Sequence, residues 1–343
     1  MPAMPIEPVT GEPPIPVDSP EDVAVLVEHL ARGDRDPAWL GDHFAYLAGT
    51  RPQWFQPYQE QVVDGLLERF EVAFDDQCQL LAGAPDACVQ TLARRLRDSQ
   101  DFHDALALSA IGTGAALTAI AEDVRNGGDR EIYEDSGIRI PSTGPAEPRF
   151  SPHRRAVFLE PGDFPDAEHP VGLPIDRVVA DPSSSPVVWH YLSLRLADVP
   201  GLPAWPAERA HLAAPASTGR WTVFAESGAD GRYHGEQVVD EDEPDDDEFT
   251  DEPDFGRGRV LLRPYGPDLV YSNGHVHTTP GLVGTAGGPP IGLYPNPSCP
   301  SCKRLMFHAV TVSSMVREHG DGPRSLYLCE DCQTVAMTAT GWN

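Results

Sequence analysis

Four cysteines near the end of the chain carry its clearest chemistry. Pro297-Ser298-Cys299-Pro300-Ser301-Cys302 supplies the first pair, and Cys329-Glu330-Asp331-Cys332 supplies the second after a spacer of 26 residues. Four thiolates make a closed tetrahedral site for Zn²⁺. Two residues between paired cysteines let one tight turn aim both sulfurs at one ion, and Pro300 and Asp331 are turn formers in those positions. A redox dithiol would need a βαβ setting, which this stretch lacks, and iron or unmetallated thiols are the remaining alternatives. Zn²⁺ bound this way is structural: the site is closed, with no ligand position left for water or substrate.

The elements that position these thiols are read from the spacer. It holds two strand-like runs, Leu305 to Ser313 and Ser325 to Leu328, joined by the turn Glu318-His319-Gly320-Asp321-Gly322-Pro323. This predicts a zinc ribbon over residues 295–336, with a knuckle at the head of each arm.

Other candidate groups are scattered. His190 lies in Val188-Trp189-His190-Tyr191-Leu192-Ser193-Leu194-Arg195-Leu196, where alternation puts Val188, Leu192, Leu194, Leu196 and His190 on one inward face. A histidine there reads as a hydrogen-bonded core residue before it reads as a ligand or base. His275-Val276-His277 would put two imidazoles on one side of a strand, without an evident third ligand. Cys88 falls on the apolar stripe of a helix and reads as a buried thiol. Gly112-Thr113-Gly114 resembles half of a dinucleotide fingerprint but follows a helical pattern rather than a strand. The sequence holds neither a Gly-x-Ser-x-Gly elbow nor His-Glu-x-x-His.

Composition narrows the function classes. The net charge of −28 opposes a nucleic-acid role, for which Arg304 and Arg317 are the only local support. It favours a protein partner with a basic surface. The one lysine, Lys303, follows Cys302, so a phosphate-binding loop and a kinase lysine are both absent. The start of the chain lacks the basic and apolar regions of a signal peptide. Ala105 to Ala121, the most apolar stretch, is too rich in small and hydroxyl residues for a membrane span. No membrane association is expected, and a reducing cytoplasm suits the free thiols.

In chain order, residues 1–18 read as a proline-rich, disordered tail. Residues 19–128 read as an α-helical bundle or short helical array. Ser19 is the expected N-cap of the first helix, with Pro20 and Asp22 behind it, and Val23, Leu26, Val27 and Leu30 at helical spacing. A second helix carries Trp39, Phe44, Tyr46 and Leu47. A third is expected from Gln56 to Phe74, a fourth around Cys88 to Leu96, and a fifth from Ser99 to Asn126. After Gly128 the texture turns to proline, glycine and short β-type runs. Residues 129–343 read as a β-rich domain with strands at Ala156 to Leu159, Arg177 to Ala180, Val187 to Leu196, Trp221 to Ala225, Val260 to Arg263 and Asp268 to Tyr271. The acidic loop 239–254 lies among them and reads as extended and solvated. The fold class expected is therefore α+β.

Pro290-Ile291-Gly292-Leu293-Tyr294-Pro295, the Cys-Pro-Ser-Cys knuckle, Met306-Phe307, Gly320-Asp321-Gly322 and Ser325-Leu326-Tyr327-Leu328-Cys329 resemble motifs of the YwqG-like family of bacterial proteins. They are also similar to the C-terminal domain of programmed cell death protein two. His190 to Pro200 resembles a second family strand. The likeness covers about residues 150–343, and 287–335 most closely. Leu293, His308-Ala309-Val310 and Pro323-Arg324 depart from the family pattern. The resemblance implies a sheet of two similar halves, no established catalysis, and chaperone-like holding of a basic protein. Three readings follow: a non-enzymatic, chaperone- or immunity-like protein-binding module; an enzyme with its active site between the helical and β-rich parts, using His190, His275 or His277; and a nucleic-acid-binding zinc ribbon.

Overall fold

The computed structural model describes residues 17, 19–32, 38–67, 69–70, 72–215, 221–240, 257–266, 281–291, 296–312 and 323–339. The fold is mixed α+β: helices come first and a large antiparallel sheet follows. The chain divides into two compact units with the main boundary between Pro148 and Arg149. That is later than the change of texture at Gly128.

The first unit holds eight α-helical segments among the described residues: α1 (Pro20–Arg32), α2 (Ala38–Thr50), α3 (Gln59–Gln61), α4 (Phe74–Leu80), α5 (Asp86–Ser99), α6 (Phe102–Ile111), α7 (Gly114–Arg125) and α8 (Arg130–Asp135). The cap of α1 forms as its sequence requires: Asp22 accepts from the Ser19 backbone N–H at 3.0 Å and from its hydroxyl at 2.8 Å. Val23, Leu26, Val27 and Leu30 are all buried. After α8 comes a short hairpin, β1 (Ile138–Arg139) with β2 (Glu147–Pro148).

Two expected helices are divided. Gln56 to Phe74 is not one helix. Pro52–Tyr58 is a 3₁₀ segment, because Pro57 cannot donate the α-type bond. Val62–Leu66 then widens to a π turn in which Leu67 N–H reaches the Val62 carbonyl. Phe74 opens the next helix. The expected fifth helix breaks at Gly112, which adopts φ 65° and ends α6, while Thr113 caps α7 through Ala116 N–H. Gly112-Thr113-Gly114 is thus a stop followed by a new start.

The second unit is β-rich. Its main sheet is wholly antiparallel, in the order β4-β9-β3-β10-β11-β12-β13-β7-β8. The strands are β3 (Arg155–Pro161), β4 (Pro170–Val171), β7 (Trp221–Ser227), β8 (Tyr233–Asp240), β9 (Gly258–Pro264), β10 (Leu282–Ala286), β11 (Phe307–Val312), β12 (Arg324–Cys329) and β13 (Thr334–Ala339). A separate ribbon pairs β5 (Val187–Arg195) with β6 (Arg209–Pro215). Register puts Val310, Leu326, Leu328, Val335 and Met337 on one face, where they form a single core with Leu192, Leu194, Ala210 and Leu212 of the ribbon. Tyr327, Ala336 and Phe224 occupy the opposite face, packed against the cysteines.

The expected strand at Arg177 to Ala180 does not form. Ile175–Arg177 is a 3₁₀ turn, and only Val179 makes a bridge, to Tyr233. Val188 is exposed rather than inward. The tail up to residue 16, Asp268 to Tyr271, His275, His277, Arg317 and the acidic run from Glu241 onward lie outside the described residues.

Candidate metal centre

The two expected strands of the spacer are present as β11 and β12, and they bring the two Cys-x-x-Cys pairs together. Cys329 is the last residue of β12, and the turn from Glu330 leads straight into β13. Before β11, Cys299 N–H donates to the Arg304 carbonyl at 2.9 Å and Lys303 N–H to the Cys299 carbonyl at 2.8 Å, closing the first knuckle. Both knuckles share a backbone device. The residue after each second cysteine, Lys303 and Gln333, is left-handed, at φ 60° and 54°. Non-glycine residues adopt this conformation at a cost of about 1–2 kcal/mol, so the rest of the turn must hold it there.

The four sulfurs of Cys299, Cys302, Cys329 and Cys332 all lie within 4.8 Å of one another. Cys302 and Cys329 are 3.6 Å apart. A tetrahedral ion with bonds of about 2.3 Å separates its sulfurs by about 3.8 Å, so the cluster has the dimensions of a four-thiolate metal site. Cys299 and Cys329 are buried, and Cys302 and Cys332 lie nearer the surface.

Charge is arranged around the thiols. Burial pushes the Cys302 thiol up, but the backbone N–H and side chain of Arg304, with the neighbouring thiols, bring it down to about 7. Burial pushes Cys329 and Cys332 up, and the crowding of thiols adds to it. Deprotonating all four sulfurs in so small a volume would require a cation, the role a bound metal ion would play.

Residues not singled out from the sequence tie the knuckles to each other. Arg149 donates to the Leu305 carbonyl at 3.1 Å and to both oxygens of Glu330 at 2.8 and 2.7 Å. It also lies 5.3 Å over the Phe307 ring. Arg304 pairs with Asp331 and bonds Cys302. The Arg304–Asp331 pair spans from one knuckle to the other, and Arg149 bridges the two from outside through Leu305 and Glu330. Arg304, the described half of the support for nucleic-acid binding, is therefore engaged in the site.

The candidate histidine takes part in a different cluster. The β5–β6 register carries a bulge at Tyr191, which changes the phase of the strand. His190 consequently shares a face with Ser193 and His211, opposite Leu192 and Leu194. Leu173 N–H donates to His190 Nδ1 at 2.9 Å, so the ring proton is on Nε2 and is donated to Ser193 Oγ at 2.9 Å. Ser193 then donates to His211 Nδ1 at 2.7 Å. Burial holds His190 well below its usual pKa, and His211 is lowered to about 4 for the same reason. His190 is thus a hydrogen-bonded core histidine, and Ser193 has no exposed surface.

The same device recurs on β11–β12. A bulge at Ala309 puts His308 and Thr311 on one face, with Ser325 opposite Thr311. His308 Nδ1 donates to the Gly288 carbonyl at 3.0 Å, Thr311 donates to Nε2 at 2.8 Å, and Ser325 donates to Thr311 at 2.7 Å. The signal was available as His-x-x-Ser/Thr, written twice, but a spacing of three is not a strand period unless a bulge intervenes.

Glu168, His169 and Asp198 also converge closely enough to hold a metal. Arg195 occupies that cluster. It binds Asp198 through two bonds of 2.6 and 2.8 Å and Glu168 at 2.9 Å, so a protein cation already pairs with both carboxylates. Cys88 is buried, its thiol pushed up to about 11 by burial first and then by Glu60 and Asp64, as a structural core thiol requires.

Fold and site together define an α+β protein with a four-cysteine candidate metal centre. Comparison with known protein families, curated proteins and solved structures finds no match to the chain. Among the described residues, no helix is long and apolar enough to cross a membrane.

Proposed function

We propose that Cys299, Cys302, Cys329 and Cys332 hold one structural Zn²⁺, and that the β-rich unit is a non-enzymatic, chaperone- or immunity-like module that binds a protein with a basic surface. The observation that carries the zinc assignment is the convergence of four sulfurs within 4.8 Å on two knuckles tied by ion pairs. Four protein ligands close the coordination sphere, so the ion serves folding. The basic partner follows from the net charge of −28. The motif resemblance to the YwqG-like family points the same way, and a relation of the β-rich unit to that family is part of the proposal. The cytoplasm is the proposed compartment, because free thiols are kept there for zinc.

The test uses tagged full-length protein, with Cys299→Ser beside it, in capture from native extract at low and high salt. Zinc is measured in both baits. A stoichiometric basic protein, released by salt and lost with Cys299→Ser, is the expected result. A zinc-loaded, folded bait that captures no basic protein at low salt would contradict the binding role. A folded bait without zinc would contradict the metal assignment.

A further inference from the structure

The two edges of the nine-stranded sheet are finished differently. At one edge, β4 is two residues long and begins with Pro170, and β9 ends at Pro264. Arg259 and Arg263 of β9 lie over Phe164 and Phe158. Short strands, prolines and cations close an edge to further pairing. The other edge, β8, is eight residues long, Tyr-His-Gly-Glu-Gln-Val-Val-Asp, with no proline and no lysine or arginine.

Hydrogen bonding shows which groups of β8 face outward. Ser227 N–H donates to the Gln333 carbonyl, so odd-numbered residues of β7 bond toward β13 and even-numbered ones toward β8. Thr222–Val239 and Phe224–Gln237 are therefore the bonded pairs. The backbone groups of Val238 and Asp240 point away from the sheet, in phase with Tyr233 across the bulge that contains Gly235. At Tyr233 the outward positions are already used: its N–H donates to the Val178 carbonyl at 2.8 Å, and its carbonyl accepts from Ala180 N–H at 2.9 Å. The edge thus accepts a parallel neighbour for one residue and, among the described residues, has none beyond it.

The side chains select the occupant. Glu236 is half-buried, and its Oε1 is shielded from solvent without a hydrogen-bond donor among the described residues. Val239 is 40% exposed. Asp181, which is exposed, follows the segment that pairs with Tyr233, and the chain as a whole carries a net charge of −28. A second copy of this chain would bring like charges together, whereas a cationic strand is attracted.

We propose that β8 is a docking edge, to which an extended arginine- or lysine-bearing segment of a partner protein adds as a further strand. This rests on the reading of a basic protein partner and assigns its place. Main-chain bonds to Val238 and Asp240 supply the pairing, and the carboxylates of Glu236 and Asp181 supply the selection.

The test uses the full chain and three acetylated nonapeptides: one alternating arginine and threonine, the same peptide N-methylated at every second amide, and one alternating glutamate and threonine. Binding is read by fluorescence anisotropy, and β8 protection by hydrogen exchange. Val238→Pro removes an outward N–H and leaves the β7 ladder intact. The arginine peptide is expected to bind and to protect β8. Affinity should fall at least tenfold on N-methylation or in a folded Val238→Pro variant, and the glutamate peptide should not bind. Equal binding of the methylated and plain arginine peptides overturns the edge and leaves the basic-partner reading standing. Absence of binding by the arginine peptide contradicts both. Self-association abolished by Val238→Pro would assign the edge to a second copy and overturn the proposal. The methylated peptide keeps the test decisive if Val238→Pro does not fold.

Discussion

Two clusters in the β-rich unit contain groups capable of chemistry, and they are built on opposite principles. The cysteine cluster is open as a set of protein groups: four sulfurs converge with the dimensions of a four-thiolate site, which a cation would complete. The His190–Ser193–His211 cluster is complete in itself. Both nitrogens of His190, the Ser193 hydroxyl and His211 Nδ1 each have a partner, and the direction of every proton among them follows from Leu173 N–H at one end. Proximity of reactive residue types is common to both. What separates a candidate site from a core network is whether its hydrogen-bonding and charge requirements are already met.

The sharpest way to break this comparison is to remove one member of each cluster. Cys329→Ser removes a buried ligand. We expect loss of the bound metal and a fall in unfolding free energy of several kcal/mol, from the folding energy that structural zinc contributes. Urea denaturation with metal analysis checks this, and an unchanged midpoint would contradict it. Ser193→Ala strands a donor on His190 and an acceptor on His211. The expected loss is about 3 kcal/mol, at about 1–3 kcal/mol for each unsatisfied group, with metal content unchanged.

Acid sharpens the contrast further. His211 and His308 are buried neutral, with pKa values lowered from 6.5 to about 4, chiefly by burial. The unfolded chain takes up protons near 6.5, before the native state does. Stability is therefore full above that value and declines as pH falls toward 4, by up to roughly 3 kcal/mol for each histidine at about 1.4 kcal/mol per pH unit. Denaturation midpoints measured between pH 7 and 5 should fall in the parent protein and fall less in His211→Gln. Equal slopes would remove His211 from this account.

Smaller effects test the frame of the cysteine cluster. Arg149→Ala removes the bonds to Leu305 and Glu330, and a loss of about 1–3 kcal/mol is expected for a largely buried charged partner. Thermal unfolding of that variant checks it, and an unchanged transition would assign the bridge no stabilising role. Lys303→Gly relieves a left-handed residue. A gain of about 1 kcal/mol is expected if the new residue only removes strain, and destabilisation would show that Lys303 contributes more than backbone conformation.

The cysteine cluster was legible in the sequence because its geometry is local: two turns of fixed length place their own sulfurs. The cap of α1 was legible for the same reason, since Ser19 and Asp22 meet within one turn. The polar clusters were hidden because bulges at Tyr191 and Ala309 set which side chains share a face, and alternation alone puts His190 with the wrong neighbours. Strands β10 and β13 gave no alternating pattern because most of their residues are buried, and Thr334-Val335-Ala336-Met337-Thr338-Ala339 is buried on both sides. Gln56 to Phe74 has the spacing of one helix, but Pro57 and the π turn divide it. Arg149 met Glu330 from far along the chain, a pairing no local pattern announces.

The central claim is that the cysteine cluster requires an ion and the histidine cluster does not. Metal content of purified full-length protein, measured by elemental analysis beside native mass spectrometry, tests it most directly. The account predicts one zinc per chain in the parent protein and in Ser193→Ala, and none in Cys329→Ser. A folded parent protein carrying no metal, or a Cys329→Ser variant that keeps its zinc, would contradict it.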